Sequence, residues 1–195
     1  MLKKIRKLLI ILLIFLIILL IVYKVFNIKE LIYKRLFPIK YSEYVYKYSE
    51  EYNIDPLLIF AFIKAESNFK EDVISKSSAK GLMQLIESTA KETAEDLQID
   101  YKENETLFNP ETNIYLGIRY FDKLLSYYNE NYTLAICAYN AGVGNVDKWI
   151  EAGTIKVDGS DIENVPFKET NMYIRKILRN YKIYNDLYNK NTVQM

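Results

Sequence analysis

Fifteen consecutive residues, Leu8 to Val22, are Leu, Ile, Phe or Val without exception. Lys3, Lys4, Arg6 and Lys7 stand before the run and Lys24 stands after it. With Tyr23 added, and with the stems of Lys7 and Lys24 reaching towards the interface, the segment meets the lower limit of about 17 residues for crossing a bilayer. A helix buried in a soluble core is not aliphatic on every face for so long with cations at both ends, whereas a membrane-spanning helix is. No small-x-small cleavage site follows, which favours an uncleaved signal anchor over a removed signal peptide. Basic residues flank the span on both sides, and the short, dense N-terminal cluster favours a cytoplasmic N-terminus.

The expected organisation is a tail and anchor over residues 1–27, a stalk containing Pro38 over 28–40, and one globular domain over 41–190, a size that buries a core without staples. Charge divides along the same line. Nine basic residues and one acid, Glu30, lie within the first 40 positions, a balance of +8; the remainder carries 17 basic and 24 acidic residues, a balance of −7. The basic end suits an anionic membrane surface. An acidic domain is unsuited to binding nucleic acid, which depends on neutralising phosphates.

The chain has no histidine and one cysteine. Ser-His and Cys-His nucleophile pairs and histidine-based zinc sites are therefore excluded, and neither a metal nor a cofactor is expected. Proton chemistry must come from carboxylates, Lys, Tyr or backbone groups. Cys137 has no internal disulfide partner, and its apolar neighbours make it a small buried hydrophobe.

Beyond the stalk the periodicity is helical almost throughout, and the fold class is all-α. A helix is expected over about 42–52. A second opens with Asp55 as N-cap and Pro56 in the first helical position, and runs apolar nearly all round through Ile63, as a central helix should. A third is expected from near Gly81, with Leu82, Leu85, Ile86, Thr89, Thr93 and Leu97 on one face. A fourth is capped by Asn109-Pro110 and carries the stripe Ile114, Ile118, Phe121, Leu125 and Tyr128, on which Gly117 leaves room for a close neighbour. A fifth covers about 132–140, a short sixth holds Trp149, and a last helix follows Pro166 over about 168–188.

Glu66 closes the central helix. It lies four residues after Phe62 and three after Ile63, on their stripe, and beside the helix's negative end. Burial and that dipole would both push its pKa upward. A carboxylic acid kept neutral near pH 7 is what glycosidic cleavage requires as its general acid. By position alone, a solvent-facing glutamate at a frayed helix end is the commoner reading.

Ala65-Glu66-Ser67-Asn68-Phe69, then Ser75, then Ala79-Lys80-Gly81-Leu82-Met83-Gln84 resemble the catalytic core of the soluble lytic transglycosylases. Three more blocks follow in that family's order: Asn109-Pro110 with Asn113, Ile114, Gly117 and Tyr120; Ala138-Tyr139-Asn140-Ala141-Gly142; and Pro166-Phe167 with Glu169, Thr170 and Tyr173. The resemblance spans roughly 41–188. It implies a goose-type lysozyme-like helical domain behind the one transmembrane helix, with Glu66 as catalytic acid and base. It further implies that Ser75 hydrogen-bonds near Glu66, that Gln84 contacts the glycan, that Tyr139 and Asn140 line the cleft, and that Glu169 approaches the sugar and its N-acetyl group. Taken singly, these five read better as a turn serine, an exposed glutamine, a core tyrosine, a helix-end asparagine and a first-turn glutamate. Two positions depart from the family: Ser78 stands where Gly is frequent, and Asn171 where Arg is common.

The resemblance implies cleavage of the β-1,4 bond between N-acetylmuramic acid and N-acetylglucosamine, with a 1,6-anhydro product. The expected protein is a monomer in the cell membrane, single-pass, with its catalytic domain on the cell-wall side, acting on peptidoglycan strands. Glu71 and Asp72 are expected to be solvated loop charges. A goose-type hydrolase would differ by one water in product mass, and an inert glycan-binding protein would be indifferent to Glu66→Gln.

Overall fold

Asp55 accepts a hydrogen bond from the Leu57 amide at 2.8 Å, and Pro56 takes the first helical position. The two set the start of the central helix, Pro56–Glu66. Each of its residues from Leu57 to Ile63 is at most 8% exposed, as its all-round apolar sequence requires. It stops because Asn68 and Phe69, with φ of 53° and 63°, are both left-handed and cannot continue a right-handed helix.

The computed structural model describes residues 2–189, apart from the side chains of Leu2 and Phe26. Met1 of the expected tail and Lys190, the end of the expected domain, lie outside the described residues. The chain divides into two compact units, Met1–Pro38 and Ile39–Met195. The first is one helix, α1 (Leu2–Leu36), whose residues from Leu8 to Val22 are exposed on every face. It is long and apolar enough to cross a membrane, with a mean hydropathy of 3.3 over its most apolar window. Most of the segment expected as a stalk is thus helical, continuous with α1 as far as Leu36.

The second unit comprises α2 (Ser42–Glu51), α3 (Pro56–Glu66), α4 (Glu87–Asp96), α5 (Glu103–Phe108), α6 (Pro110–Tyr127), α7 (Tyr132–Ala141), α8 (Val143–Glu151), a 3₁₀ turn (Ile162–Asn164) and α9 (Lys168–Tyr188). No strand occurs among the described residues; the segment between α3 and α4 carries only isolated bridges joining Lys80 to Ile74 and to Leu85. α9 lies along α3, and α7 packs against both α6 and α9. Asn109 and Asn131 cap α6 and α7 as Asp55 caps α3. The α6 stripe is buried as expected, and so is Cys137, whose thiol burial pushes up to about 12.

The third helix differs from expectation. It begins at Glu87, not near Gly81, and α5 was not anticipated. Gly81 and Gln84 are left-handed, at φ 78° and 50°, so residues 81–85 turn back on themselves. Leu82, Met83 and Leu85 are buried because this loop enters the core, not because they share a helix face. Gly117 does admit a close neighbour, but the neighbour is Met83: a Cβ there would sit 2.3 Å from its sulfur.

Candidate active site

Glu66 is the last residue of α3, and its side chain opens into a cavity of about 350 Å³. Ser75, Gln84, Tyr139, Asn140 and Glu169 line the same cavity, so all six residues singled out from the sequence meet in one place. They come from four elements: the end of α3, the loop before α4, the end of α7 and the start of α9.

The surroundings of Glu66 are apolar and aromatic below, polar above. Phe62, one turn earlier, is fully buried and packs against Phe121, Tyr139 and Tyr173 at ring distances of 4.7, 5.1 and 6.5 Å. Tyr173 of α9 donates its hydroxyl to Glu66 Oε1 at 2.5 Å. Lys176, almost one turn further along α9, donates to the Ala65 carbonyl at 2.5 Å and places a cation near the helix's negative end. Burial raises the Glu66 carboxyl to about 7, and it does so against the opposing pull of the Tyr173 hydrogen bond and the Lys176 charge. The acid is thus substantially protonated at neutral pH. Tyr139 and Tyr173 are pushed well above the ordinary tyrosine value, by burial first and by Glu66 second, so both remain donors.

The opposite wall is an irregular loop held from a distance. The fully buried Asn113 of α6 accepts from the Met83 amide at 2.8 Å and donates to the carbonyls of Leu107 and Lys80 at 2.9 and 3.1 Å. Gly81 is required beneath it, since a Cβ would lie 2.2 Å from the Leu107 oxygen. Tyr139 donates to the Met83 carbonyl at 2.9 Å, so this ring braces the loop as well as lining the cleft. The Gln84 amide nitrogen donates to the carbonyls of Val73 and Gly81, which leaves its oxygen as the group available to a ligand.

Ser75 stands on the wall of the cavity into which Glu66 opens. Its hydroxyl accepts from the Ala79 amide at 3.0 Å and lies 3.0 Å from the Ser77 hydroxyl, and among the described residues it makes no hydrogen bond to Glu66. Asn140 accepts from the Thr170 hydroxyl at 2.7 Å, tying α7 to α9 at the rim. Glu169 is exposed at that rim. Glu71 and Asp72 are exposed and outside the cavity lining. Tyr173 and Lys176 carried no assigned role from the sequence. Their signal was there in the spacing, since 169, 173 and 176 form one stripe of α9 that begins with the expected cleft residue. No group of residues able to hold a metal ion occurs among the described residues.

The comparisons with known proteins agree with this geometry. The family model for the transglycosylase SLT domain matches residues 43–158. The soluble lytic murein transglycosylase of Salmonella typhimurium is 33% identical over 144 residues, covering 73% of this chain and 22% of that protein. The membrane-bound lytic murein transglycosylase C of Pectobacterium atrosepticum is 36% identical over 116 residues, covering 55% and 32%. Among solved structures, an inactive glutamate-to-glutamine mutant of the lytic transglycosylase Slt from Pseudomonas aeruginosa superposes with a TM-score of 0.72 at 34% identity, covering 78% of this chain and 25% of that one. The chain therefore spans only about a fifth to a third of the length of these relatives, and the family model falls within the helical unit that carries Glu66. On the family match and the shared fold, the chain belongs to the transglycosylase SLT domain family.

Proposed function

We propose that this protein is a membrane-anchored peptidoglycan lytic transglycosylase that cleaves the β-1,4 bond between N-acetylmuramic acid and N-acetylglucosamine. The observation that carries the reading is the Glu66 carboxyl, held at about 7 in a cavity whose only other carboxylate among the described residues is the exposed Glu169. Glu66 donates its proton to the bridging oxygen. The carboxylate so formed takes the proton of the muramoyl C6 hydroxyl, which attacks the anomeric carbon and closes the 1,6-anhydro ring. The nucleophile belongs to the substrate, so one acid serves both steps and the attack has the advantage of an intramolecular reaction.

The Tyr173 hydroxyl supports the second half of this cycle, since a donor to the carboxylate stabilises Glu66 after it has lost its proton. The Gln84 oxygen, Tyr139, Asn140 and Glu169 contact the glycan. Ser75 shapes the loop beside it, through the Ala79 amide. Residues 1–27 are the tail and single-pass anchor, 28–40 the stalk, and 41–190 the catalytic domain, held as a monomer on the cell-wall side of the membrane. The span-length apolar helix and the similarity to a membrane-bound transglycosylase support the anchoring.

The test is the mass of fragments released from purified peptidoglycan by the full-length protein in detergent. The wild type should release fragments with anhydro ends, one water lighter than hydrolytic products. Glu66→Gln should lower their release by at least about a hundredfold, the usual scale of a lost general acid. Undiminished release by the variant, or products carrying the extra water, would overturn the proposal.

A further inference from the structure

The end of α2 and the start of α3 meet around a second cavity, of about 410 Å³, away from the cleft. α3 rises about 15 Å between Pro56, which lines this cavity, and Glu66, which lines the other. The polar groups of the second cavity are Ser49, Glu50, Asn53 and Asp55, and no cation lines it. Ser49 is 1% exposed, and its hydroxyl has no hydrogen-bond partner among the described residues. A buried hydroxyl left unpaired is costly, so this one marks a place where a ligand atom can complete it. Glu50 is exposed, and among the described residues its carboxylate makes neither an ion pair nor a hydrogen bond. The last turn of α2 has no basic residue to offset its negative end, whereas the positive start of α3 is already capped by Asp55. Asp55 also accepts from the Tyr181 hydroxyl at 2.5 Å, and pairs with no cation among the described residues. Tyr46 contributes a ring that is 46% exposed and propped by Phe60 at 5.8 Å.

We propose that this cavity is a binding site for a primary alkylammonium group, separate from the catalytic cleft. Two carboxylates without a cation and the negative end of α2 attract positive charge, and the Tyr46 ring adds a cation–π contact. The Tyr46 ring and Pro56 offer apolar surface to the aliphatic stem. The acceptors stand on separate residues, which suits the three rotatable donors of an ammonium better than the flat fork of a guanidinium. Two carboxylates, one of them engaged as a helix cap, do not make a metal site. In the wall such a group is the free side-chain amine of a peptide on a strand other than the one in the cleft. That source rests on the transglycosylase reading above, whereas the binding itself does not.

The test titrates the full-length protein in detergent with Nα-acetyl-lysine amide and follows the backbone amide NMR signals of residues 50–55. Their shifts should saturate, and the Nε-acetylated form of the probe should leave them in place. Glu50→Gln should weaken binding about fivefold and Tyr46→Leu about threefold, the scale of one exposed ion pair and one cation–π contact. Ser49→Ala should weaken it about threefold with the thermal midpoint unchanged or higher, because the hydroxyl it removes is unpaired in the free protein. Glu66→Gln, at the far end of α3, should bind the probe as the wild type does. Equal shifts with the acetylated probe overturn the proposal, as does an affinity indifferent to Glu50→Gln and Tyr46→Leu. Unchanged affinity in Ser49→Ala also overturns it, and assigns that hydroxyl to water alone. Retention of the Glu66→Gln protein on purified wall should fall about fivefold when the wall's amines are acetylated, and adding Glu50→Gln should erase that difference. Retention that ignores acetylation overturns the wall peptide as the ligand. A wild type that binds the probe yet releases no anhydro fragments would instead defeat the transglycosylase reading alone.

Discussion

α3 and the loop of residues 67–86 form facing parts of one cleft and reach their geometry by opposite routes. α3 follows from its own residues: an Asp55-Pro56 start, an unbroken apolar run, and burial on every side. The loop takes left-handed conformations at Asn68, Phe69, Ser78, Gly81 and Gln84, and its shape is imposed by side chains far along the chain, chiefly Asn113 and Tyr139. One wall is made by local rules and packing. The other is made by hydrogen bonds from elsewhere, so the two should fail differently when each loses its support.

A matched pair of substitutions breaks the comparison most directly. Phe62→Ala removes a fully buried ring beneath Glu66 and should cost about 3–5 kcal/mol of global stability, read in denaturant unfolding. Asn113→Ala leaves the Met83 amide and the Leu107 carbonyl without partners, at about 1–3 kcal/mol for each buried group. Much of that cost should be relieved locally. Amide exchange at 80–85 should accelerate far more than exchange in α3, and glycan turnover should fall while the helix stays folded. Uniform acceleration across both walls would show that the loop is not a separate unit of stability.

The same contrast decides what could be read from the sequence. The helix caps Asp55 and Asn109, the α6 stripe and the position of Glu66 were all legible, because each depends on neighbours within a turn or two. The stretch from Gly81 was misread as a helix start. Its apolar spacing matches a helical period, but nothing local reveals that Asn113, some thirty residues later, replaces the helical ladder. The motif blocks nevertheless brought all six candidate residues to one cavity, while the tuning of Glu66 by Tyr173 and Lys176 came only with the packing of α9 along α3.

That tuning gives a prediction of intermediate size. Tyr173→Phe removes a hydrogen bond that favours the carboxylate, so Glu66 should titrate above its present value of about 7. Rate depends on the protonated form, and the alkaline fall in kcat/KM should move up by about one pH unit, since hydrogen bonds to charged groups are worth ~1.5–3 kcal/mol. The stability consequence has a definite sign. A folded-state value above the ordinary 4.5 contributes stability that is complete below pH 4.5 and lost as pH rises through about 7. Glu66→Gln lacks that slope, and above pH 7 should be the more stable protein by at most ~3 kcal/mol. An alkaline limb that stays in place in Tyr173→Phe would remove α9 from the account of how α3 holds its acid.

The smallest effect belongs to backbone strain, and it separates the two regions most finely. Phe69, just past the end of α3, and Ser78, in the loop, share nearly the same left-handed φ, 63° in each. Phe69 is compensated, since its ring is 4% exposed and packs 6.5 Å from Phe60, so replacing it with Gly would relieve strain but forfeit that burial. Ser78 is exposed, and its hydroxyl makes no hydrogen bond among the described residues. Left-handed strain of ~1–2 kcal/mol in a residue with a Cβ stands there against the ~0.5–1 kcal/mol of extra chain entropy that Gly loses on folding. Ser78→Gly, the residue frequent in the family at this position, should therefore raise stability by up to ~1 kcal/mol, measured by thermal unfolding. Phe69→Gly should lower it. A loss at both positions would mean that the loop, like the end of α3, holds its left-handed residue by a contact of the side chain.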